Sequence, residues 1–271
     1  MLYMGVQNLV KVIVCGACGR MGRTVLNAVH NDAELELVGA VDMVTGSDVG
    51  DLIGCGKTGV IVKDDLQAVI DEVRPDVMVD FTRPAIVKGN VEIALKNKVR
   101  PVVGTTGLSD EDKDDIRKWC EKNNTGGFIA PNFAIGAVLM MKFAVQAAKY
   151  MPNVEIIELH HDQKLDAPSG TAIGTADLIR EVRKSMKQGH PDEFEKLSGA
   201  RGADVDGIHI HSVRLPGFVA HQEVIFGGVG QTLTIRHDSI NRESFMPGVV
   251  LACKKVMAVE GLVVGLENIM D

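Results

Sequence analysis

Val10-Lys11-Val12-Ile13-Val14-Cys15-Gly16-Ala17-Cys18-Gly19-Arg20-Met21-Gly22 is the stretch that sets the fold class. Its apolar run from Val10 to Cys15 suits a buried parallel strand. The run enters a turn with glycines at 16, 19 and 22, and a helical pattern follows from about Arg20 to His30. A second strand, Leu35 to Val41, ends at Asp42. Strand, glycine-rich turn, helix, strand and terminal acid form one βαβ unit with the order of a dinucleotide-binding fingerprint. Gly16 permits the tight turn out of the strand. Gly19 lets the backbone approach a pyrophosphate. Gly22 lets the helix pack closely on the sheet. Asp42, twenty residues beyond Gly22, is placed to accept hydrogen bonds from ribose hydroxyls.

Outward from this unit the alternation continues. Val77 to Phe81 is a strand leading into Thr82-Arg83-Pro84, and Pro84 opens a helix to about Lys98. Val102-Val103 ends in Gly104-Thr105-Thr106-Gly107, and Ser109 caps a helix that starts Asp110-Glu111-Asp112. Phe128-Ile129 leads into Ala130-Pro131-Asn132-Phe133. Strands alternating with helices predict a Rossmann-like, doubly wound parallel sheet, whose ligands bind past the carboxyl ends of the strands. Asp42, Phe81, Gly104 to Thr106 and Ala130 to Phe133 all fall at such ends. Gly104 to Gly107 also fits a plain strand-to-helix turn. Cys15 and Cys18 form a C-x-x-C pair, which admits a redox or metal reading. The glycine spacing and Asp42 are unexplained by that reading, and no second cysteine pair completes a metal site.

From Val154 the character changes. Val154 to Leu159 is a strand that mixes apolar and acidic positions, and it runs into His160-His161-Asp162-Gln163-Lys164-Leu165-Asp166-Ala167-Pro168-Ser169-Gly170-Thr171-Ala172. A helix is expected from Thr171 to Lys184, so Ser169, Gly170 and Thr171 lie at a helix N-terminus. Unpaired N–H groups and the helix dipole favour an anion there. Two imidazoles and an ammonium beside that terminus suit a small carboxylate ligand. Period two would send His160 and His161 to opposite faces, so they are not expected to share one task. Taken singly, these groups also fit a structural histidine pair, a solvated lysine and a helix cap. Gln188 to Asp206 is polar and glycine-rich, a long loop. Ile208 to Arg214, Glu223 to Phe226 and Gln231 to His237 are strands of period two, the last two joined by Gly227 to Gly230. This second, α+β region is expected to hold a mixed or antiparallel sheet. Arg242 to Ala258 is expected to be a helix.

The 271 residues are 45% hydrophobic and 24% charged, which fits a globular chain of one large or two modest domains. Aromatics are only 4%, so the core must be aliphatic. A net charge of −7 argues against nucleic-acid binding. No apolar run approaches the ~18–20 residues of a membrane span, and Met1 to Val10 lacks a signal-peptide pattern. Five cysteines, an odd number, point to reduced thiols in a cytoplasm. No histidine pattern has a helical metal-ligand spacing, so no metal is expected.

The motif His-His-x-x-Lys-x-Asp-Ala-Pro-Ser-Gly-Thr-Ala resembles the signature of the dihydrodipicolinate reductases of the diaminopimelate and lysine pathway. The Gly-x-x-Gly-Arg-Met-Gly turn (Gly16 to Gly22), Asp-Phe-Thr-Arg-Pro at 80–84 and the Gly104 to Gly107 stretch match in the same order. The resemblance implies NAD(P)H-dependent reduction of a cyclic, imine-like dicarboxylate. By position it implies His160 and Lys164 as acid/base candidates and His161 as a substrate-binding histidine. Ser169, Gly170 and Thr171 become the cradle for one carboxylate. Gly16, Ala17, Cys18, Gly19, Arg20, Met21, Gly22 and Asp42 become cofactor-binding. Gly104 to Thr106 and Ala130 to Phe133 line the nicotinamide side. The family's first domain is discontinuous, which implies residues 1–133 with 242–271 for the nucleotide and 134–241 for substrate and assembly into a homotetramer. NADPH-using members carry an arginine after the strand-end acid. Here Met43 stands there and the next basic residue in sequence is Lys57, which favours NADH over NADPH. His209, His211, Arg214, His221 and Arg236 are candidates for the second carboxylate. A semialdehyde dehydrogenase on the same scaffold would need an activated cysteine, and none lies near 158–172. A mere nucleotide sensor has no use for the cradle.

Overall fold

The computed structural model describes residues 9–270. Residues 1–8, where the sequence shows no targeting pattern, lie outside them. The chain divides into two compact units, Met1–Phe133 with Phe245–Asp271, and Ala134–Ser244. Residues 242–244, grouped by sequence with the first domain, thus fall in the second unit.

In the first unit the elements are β1 (Val10–Cys15), α1 (Arg20–Asn31), β2 (Leu35–Val41), α2 (Val49–Ile53), β3 (Val62–Lys63), α3 (Leu66–Val73), β4 (Val77–Asp80), α4 (Pro84–Lys96), β5 (Arg100–Val103), α5 (Asp110–Asn123) and β6 (Gly127–Ile129). The seven strands, closed by Leu262–Val264 near the end of the chain, are ordered Leu262–Val264, β6, β5, β4, β1, β2, β3, and every pair is parallel. The order reverses at β1, between β2 and β4, and such a switch opens a ligand crevice at the strand ends. Period two sends Ile13, Cys15, Met78, Val103 and Ile129 to one face, where α3, α4 and α5 bury Val69, Val91, Leu95 and Ile116 against them. Val12 and Val14 face the other way, toward α1 and the helix Met246–Lys255, with Leu26, Val29 and Val249 fully buried. Each fully buried Leu, Ile or Val contributes about 1.5–3 kcal/mol, so an aliphatic core suffices without aromatics. Ser109 and Asp112 form a reciprocal capping box on α5.

The second unit contains α6 (Ile135–Ala148), β7 (Asn153–His160), α7 (Gly170–Val182), β8 (Ala203–Val205), β9 (Ile208–Arg214), β10 (Ala220–Gly228) and β11 (Gln231–Ser239). Its sheet is ordered β11-β10-β7-β9-β8, parallel only between β7 and β9, hence mixed. Helices α6 and α7 cover one face and enclose Met140, Ala144, Ile156, Ile179, Ile210, Val224 and Phe226.

Several expected boundaries shift. The loop 188–206 is not wholly irregular, because Ala203–Val205 pairs with β9 as an edge strand. β10 extends through Gly228, leaving Val229-Gly230 as the two-residue hairpin turn. The expected helix 242–258 is a 3-10 turn at Arg242–Phe245, then α8 (Met246–Lys255), then a second 3-10 turn at Val256–Ala258. β4 stops at Asp80, before Phe81, and α7 spans Gly170–Val182 rather than 171–184. The closing strand is β12 (Leu262–Val264). Helix α6 escapes periodicity because its sequence is apolar on nearly every side.

Candidate functional site

In the first unit the glycine turn has the geometry that its spacing implies. Gly16 has φ +83°, and a Cβ on it would lie 2.5 Å from the Phe81 carbonyl oxygen. A Cβ on Gly22 would lie 1.9 Å from the Gly16 carbonyl oxygen, so α1 approaches the turn more closely than any side chain permits. No side chain caps α1. The N–H groups of Arg20, Met21 and Gly22 therefore remain as first-turn donors for an anion. Asp42 accepts the Cys18 N–H at 2.9 Å and the Val44 N–H at 3.1 Å, which fixes the turn. Each oxygen keeps a lone pair that a hydroxyl can use.

Asp80, fully buried at the end of β4, accepts from the Thr82 N–H at 3.0 Å and the Thr82 hydroxyl at 2.7 Å. It also accepts from the Thr105 hydroxyl at 2.7 Å and the Asn90 amide at 2.8 Å. The β4 and β5 ends are thereby locked together. Phe81 packs on Gly104, where a Cβ would meet its ring at 2.3 Å, and lies 5.8 Å from the Phe133 ring. Gly16, Gly19, Asp42 and Phe81 line one cleft with Met43, Thr82 and Arg83. Sequence spacing missed Arg83 as a cofactor candidate. Its guanidinium reaches the Met43 sulfur at 2.9 Å, a cation delivered from the start of α4 rather than from the residue after Asp42.

Neither cysteine of the C-x-x-C pair is activated. Burial, then Asp80 and Asp42, push the Cys15 thiol well above its ordinary pKa. Burial and Asp42 also raise Cys18. A reactive thiol needs the opposite shift.

In the second unit β7 ends at His160, and His161 lies beyond it, exposed. Period two places Glu158 and His160 on the helix-covered face, above Ile156 and Val154. Glu158 is fully buried. One of its oxygens accepts His160 Nδ1 at 2.5 Å and Arg214 Nη1 at 2.8 Å. The other accepts Arg214 Nη2 at 2.7 Å and the Ser169 N–H at 3.1 Å. Burial pushes this carboxyl up, but hydrogen bonds from Arg214, Ser212 and His160 outweigh it and leave the pKa below the ordinary glutamate value. Burial likewise lowers His160, and the opposing pull of Glu158 does not overcome it. Burial thus favours the neutral imidazole. An ionised carboxylate only accepts, so a neutral ring against it would carry its proton on Nδ1 and leave Nε2 as an acceptor.

Ser169 caps α7, its hydroxyl oxygen accepting the Ala172 N–H at 3.2 Å. With its own N–H given to Glu158, the cradle retains the Gly170 and Thr171 N–H groups and the Ser169 hydroxyl proton. Gly170 is exposed, with no atom near a prospective Cβ. Lys164 Nζ lies 2.6 Å from Asp166 Oδ1, and Arg214 Nη2 also holds the Asp166 carbonyl at 2.8 Å. The remaining second-carboxylate candidates do not converge here. Register puts His209, His211, His221 and Arg236 on the opposite face of the sheet. There His211 pairs with Glu155, His221 with Asp238, and Arg236 with Asp238 and Glu223.

Fold and family features define a class: an oxidoreductase with a Rossmann-like parallel sheet that fits a nucleotide, and a second unit built on a mixed sheet. The family models for dihydrodipicolinate reductase match this chain, the N-terminal model over residues 10–133 and the C-terminal model over residues 136–270. The chain belongs to the dihydrodipicolinate reductase family. It is 59% identical over 264 residues to the 4-hydroxy-tetrahydrodipicolinate reductase of Halalkalibacterium halodurans, covering 97% of this chain and 100% of that one. It is 56% identical over 264 residues to the corresponding protein of Desulfitobacterium hafniense, covering 97% and 99%. Among solved structures, the dipicolinate-bound dihydrodipicolinate reductase of Paenisporosarcina sp. TG-14 superposes with a TM-score of 0.87 at 52% identity, covering 97% of this chain and 100% of that one.

Proposed function

We propose that the protein reduces 4-hydroxy-tetrahydrodipicolinate to tetrahydrodipicolinate in diaminopimelate and lysine biosynthesis, with NADH or NADPH as reductant. One observation carries this reading. His160, Lys164 and the α7 N-terminus gather at the end of one strand, in a chain whose other unit has a glycine turn and Asp42. Hydride from nicotinamide C4 and one proton reduce the ring, and the 4-hydroxyl leaves as water, which balances the reaction.

Lys164 is the proton donor and its charge offsets the dianionic substrate. Neutral His160, with its Nε2 lone pair facing out from the Glu158 contact, accepts rather than donates. The Gly170 and Thr171 N–H groups and the Ser169 hydroxyl hold one carboxylate, and His161 contributes beside them. Arg20 to Gly22 hold the pyrophosphate and Asp42 the ribose, with Ala17 and Cys18 shaping the turn. Gly104 to Thr106 and Ala130 to Phe133 line the nicotinamide. NADH is preferred, because Asp42 repels a 2′-phosphate. Arg83 gives NADPH a partner and keeps the preference modest.

The five unpaired cysteines support a reducing, cytoplasmic setting. A homotetramer is supported by the outer face of the second sheet, where half-exposed Ile157, Val213 and Ile225 lie among ion pairs. The test is coupled turnover with a synthase supplying the unstable substrate, following NADH and NADPH oxidation separately. Rapid substrate-dependent oxidation is the expected result. Cofactor binding without oxidation would discard the reading.

A further inference from the structure

A charged side chain at a fully buried position is costly unless every lone pair finds a donor. Glu158 meets that condition with donors from three separate places: His160 on β7 itself, Arg214 and Ser212 on the neighbouring strand β9, and the N-cap of α7. Those places carry His160, the arginine that braces the Asp166 carbonyl, and the anion cradle. A buried carboxylate serving the core alone would not need to meet a histidine at the substrate end of the strand.

We infer that Glu158, clamped by Arg214, is the positioning residue of the active site: it fixes His160 as the Nδ1–H tautomer and sets the register of the Ser169–Thr171 cradle. This rests on the proposed reduction and deepens it. The carboxylate is two residues before His160, and strand period two is what brings both to one face. Arg214 lies directly beside His160 in the parallel β7–β9 register, so its fork reaches back to both oxygens of Glu158.

The discriminating variant is Glu158→Gln. A glutamine keeps the size and can still accept from Arg214 and the Ser169 N–H. Its amide nitrogen, however, replaces the oxygen that His160 shares with Arg214 Nη1, so His160 must present an unprotonated Nδ1 and carry its proton on Nε2, and the Arg214 Nη1 contact is lost with it. In carboxylate–histidine pairs of hydrolases the same exchange costs about 10⁴-fold. Here His160 orients rather than relays, so we expect kcat to fall roughly 10²–10³-fold while NADH affinity is unchanged. The acid limb of the pH–rate profile should move with it. On a His160→Ala background, Glu158→Gln should cost far less than it does alone, and Glu158→Asp should not rescue the rate, because the shorter chain cannot span to His160.

The tautomer is read directly by ¹⁵N NMR of the intact wild-type protein, with the His160 signal assigned by His160→Gln. Nδ1–H in the wild type and Nε2–H in Glu158→Gln are expected. Nε2–H in the wild type overturns the inference without any variant having to fold. Additive effects of the two substitutions, or kcat within threefold of wild type in Glu158→Gln, overturn it as well. A wild type that does not turn over the substrate would instead remove the proposed function, and the tautomer would still report whether Glu158 holds His160.

Discussion

The Arg83 guanidinium lies 2.9 Å from the Met43 sulfur, although forty residues separate them. Met43 follows Asp42, the acid proposed to hold the ribose, so the cation absent from that position in sequence is supplied across the mouth of the crevice. Arg83→Ala should therefore weaken NADPH use roughly tenfold, about 1.4 kcal/mol, and NADH use much less. Met43→Arg should shift preference toward NADPH. Kd values for both cofactors check the two variants together, and equal losses for both cofactors on removing Arg83 would refute the assignment.

Gly22 tests the close approach of α1 to the turn. With a Cβ 1.9 Å from the Gly16 carbonyl, Gly22→Ala must push the helix off the turn. Overpacking of this kind costs about 1–3 kcal/mol. Thermal unfolding should show a lowered Tm, and calorimetry a larger proportional loss in NADH binding. Gly170→Ala, with open space at its Cβ, should leave Tm unchanged.

Lys164→Ala should lower kcat about 10²–10⁴-fold, the range for loss of a general acid, with NADH affinity preserved. Steady-state kinetics with a separate NADH titration distinguishes the two. Turnover close to wild type would mean that another group delivers the proton.

Acid should destabilise the fold, and two groups of the candidate site act in the same direction. His160 has its folded pKa depressed below 6.5, mainly by burial. As pH falls through 6.5 the unfolded chain takes up the proton first, and stability declines. Glu158 has its folded pKa depressed below 4.5, because the hydrogen bonds outweigh burial. Its contribution is complete above 4.5 and is lost as pH falls through the lower folded value. Tm measured from pH 8 down to about pH 3 should therefore fall in two stages, and Glu158→Gln should shrink the second, which it shares with other depressed carboxylates such as Glu155 and Asp166. A Tm independent of pH between 8 and 5 would count against a half-buried, neutral His160.

Much of the first unit was legible because its signals are local. The β1 and β2 bounds, the three glycines and the Ser109 cap each follow from a few adjacent residues. α6 was not legible, since a helix apolar all round carries no period. Nor was β8, whose three residues become a strand only by pairing with β9. At the site, His160, Lys164 and Ser169 to Thr171 were picked out by their crowding in one short motif. Glu158 had a sequence signal, its period-two relation to His160, but only burial reveals that the two share a saturated hydrogen-bond hub.

By itself, the sequence determined the alternation of strands and helices, the glycine turn and the His160 to Thr171 motif proposed to carry the proton chemistry. These depend on backbone conformations and spacings within a few residues, which composition and period control directly. Only the tertiary structure decided that Arg83 answers Met43, that Arg214 serves Glu158 rather than the solvent, and that His209, His211, His221 and Arg236 turn away from the cradle. Those outcomes depend on which strands become neighbours and in what register, and a pairing between distant segments has no local signature.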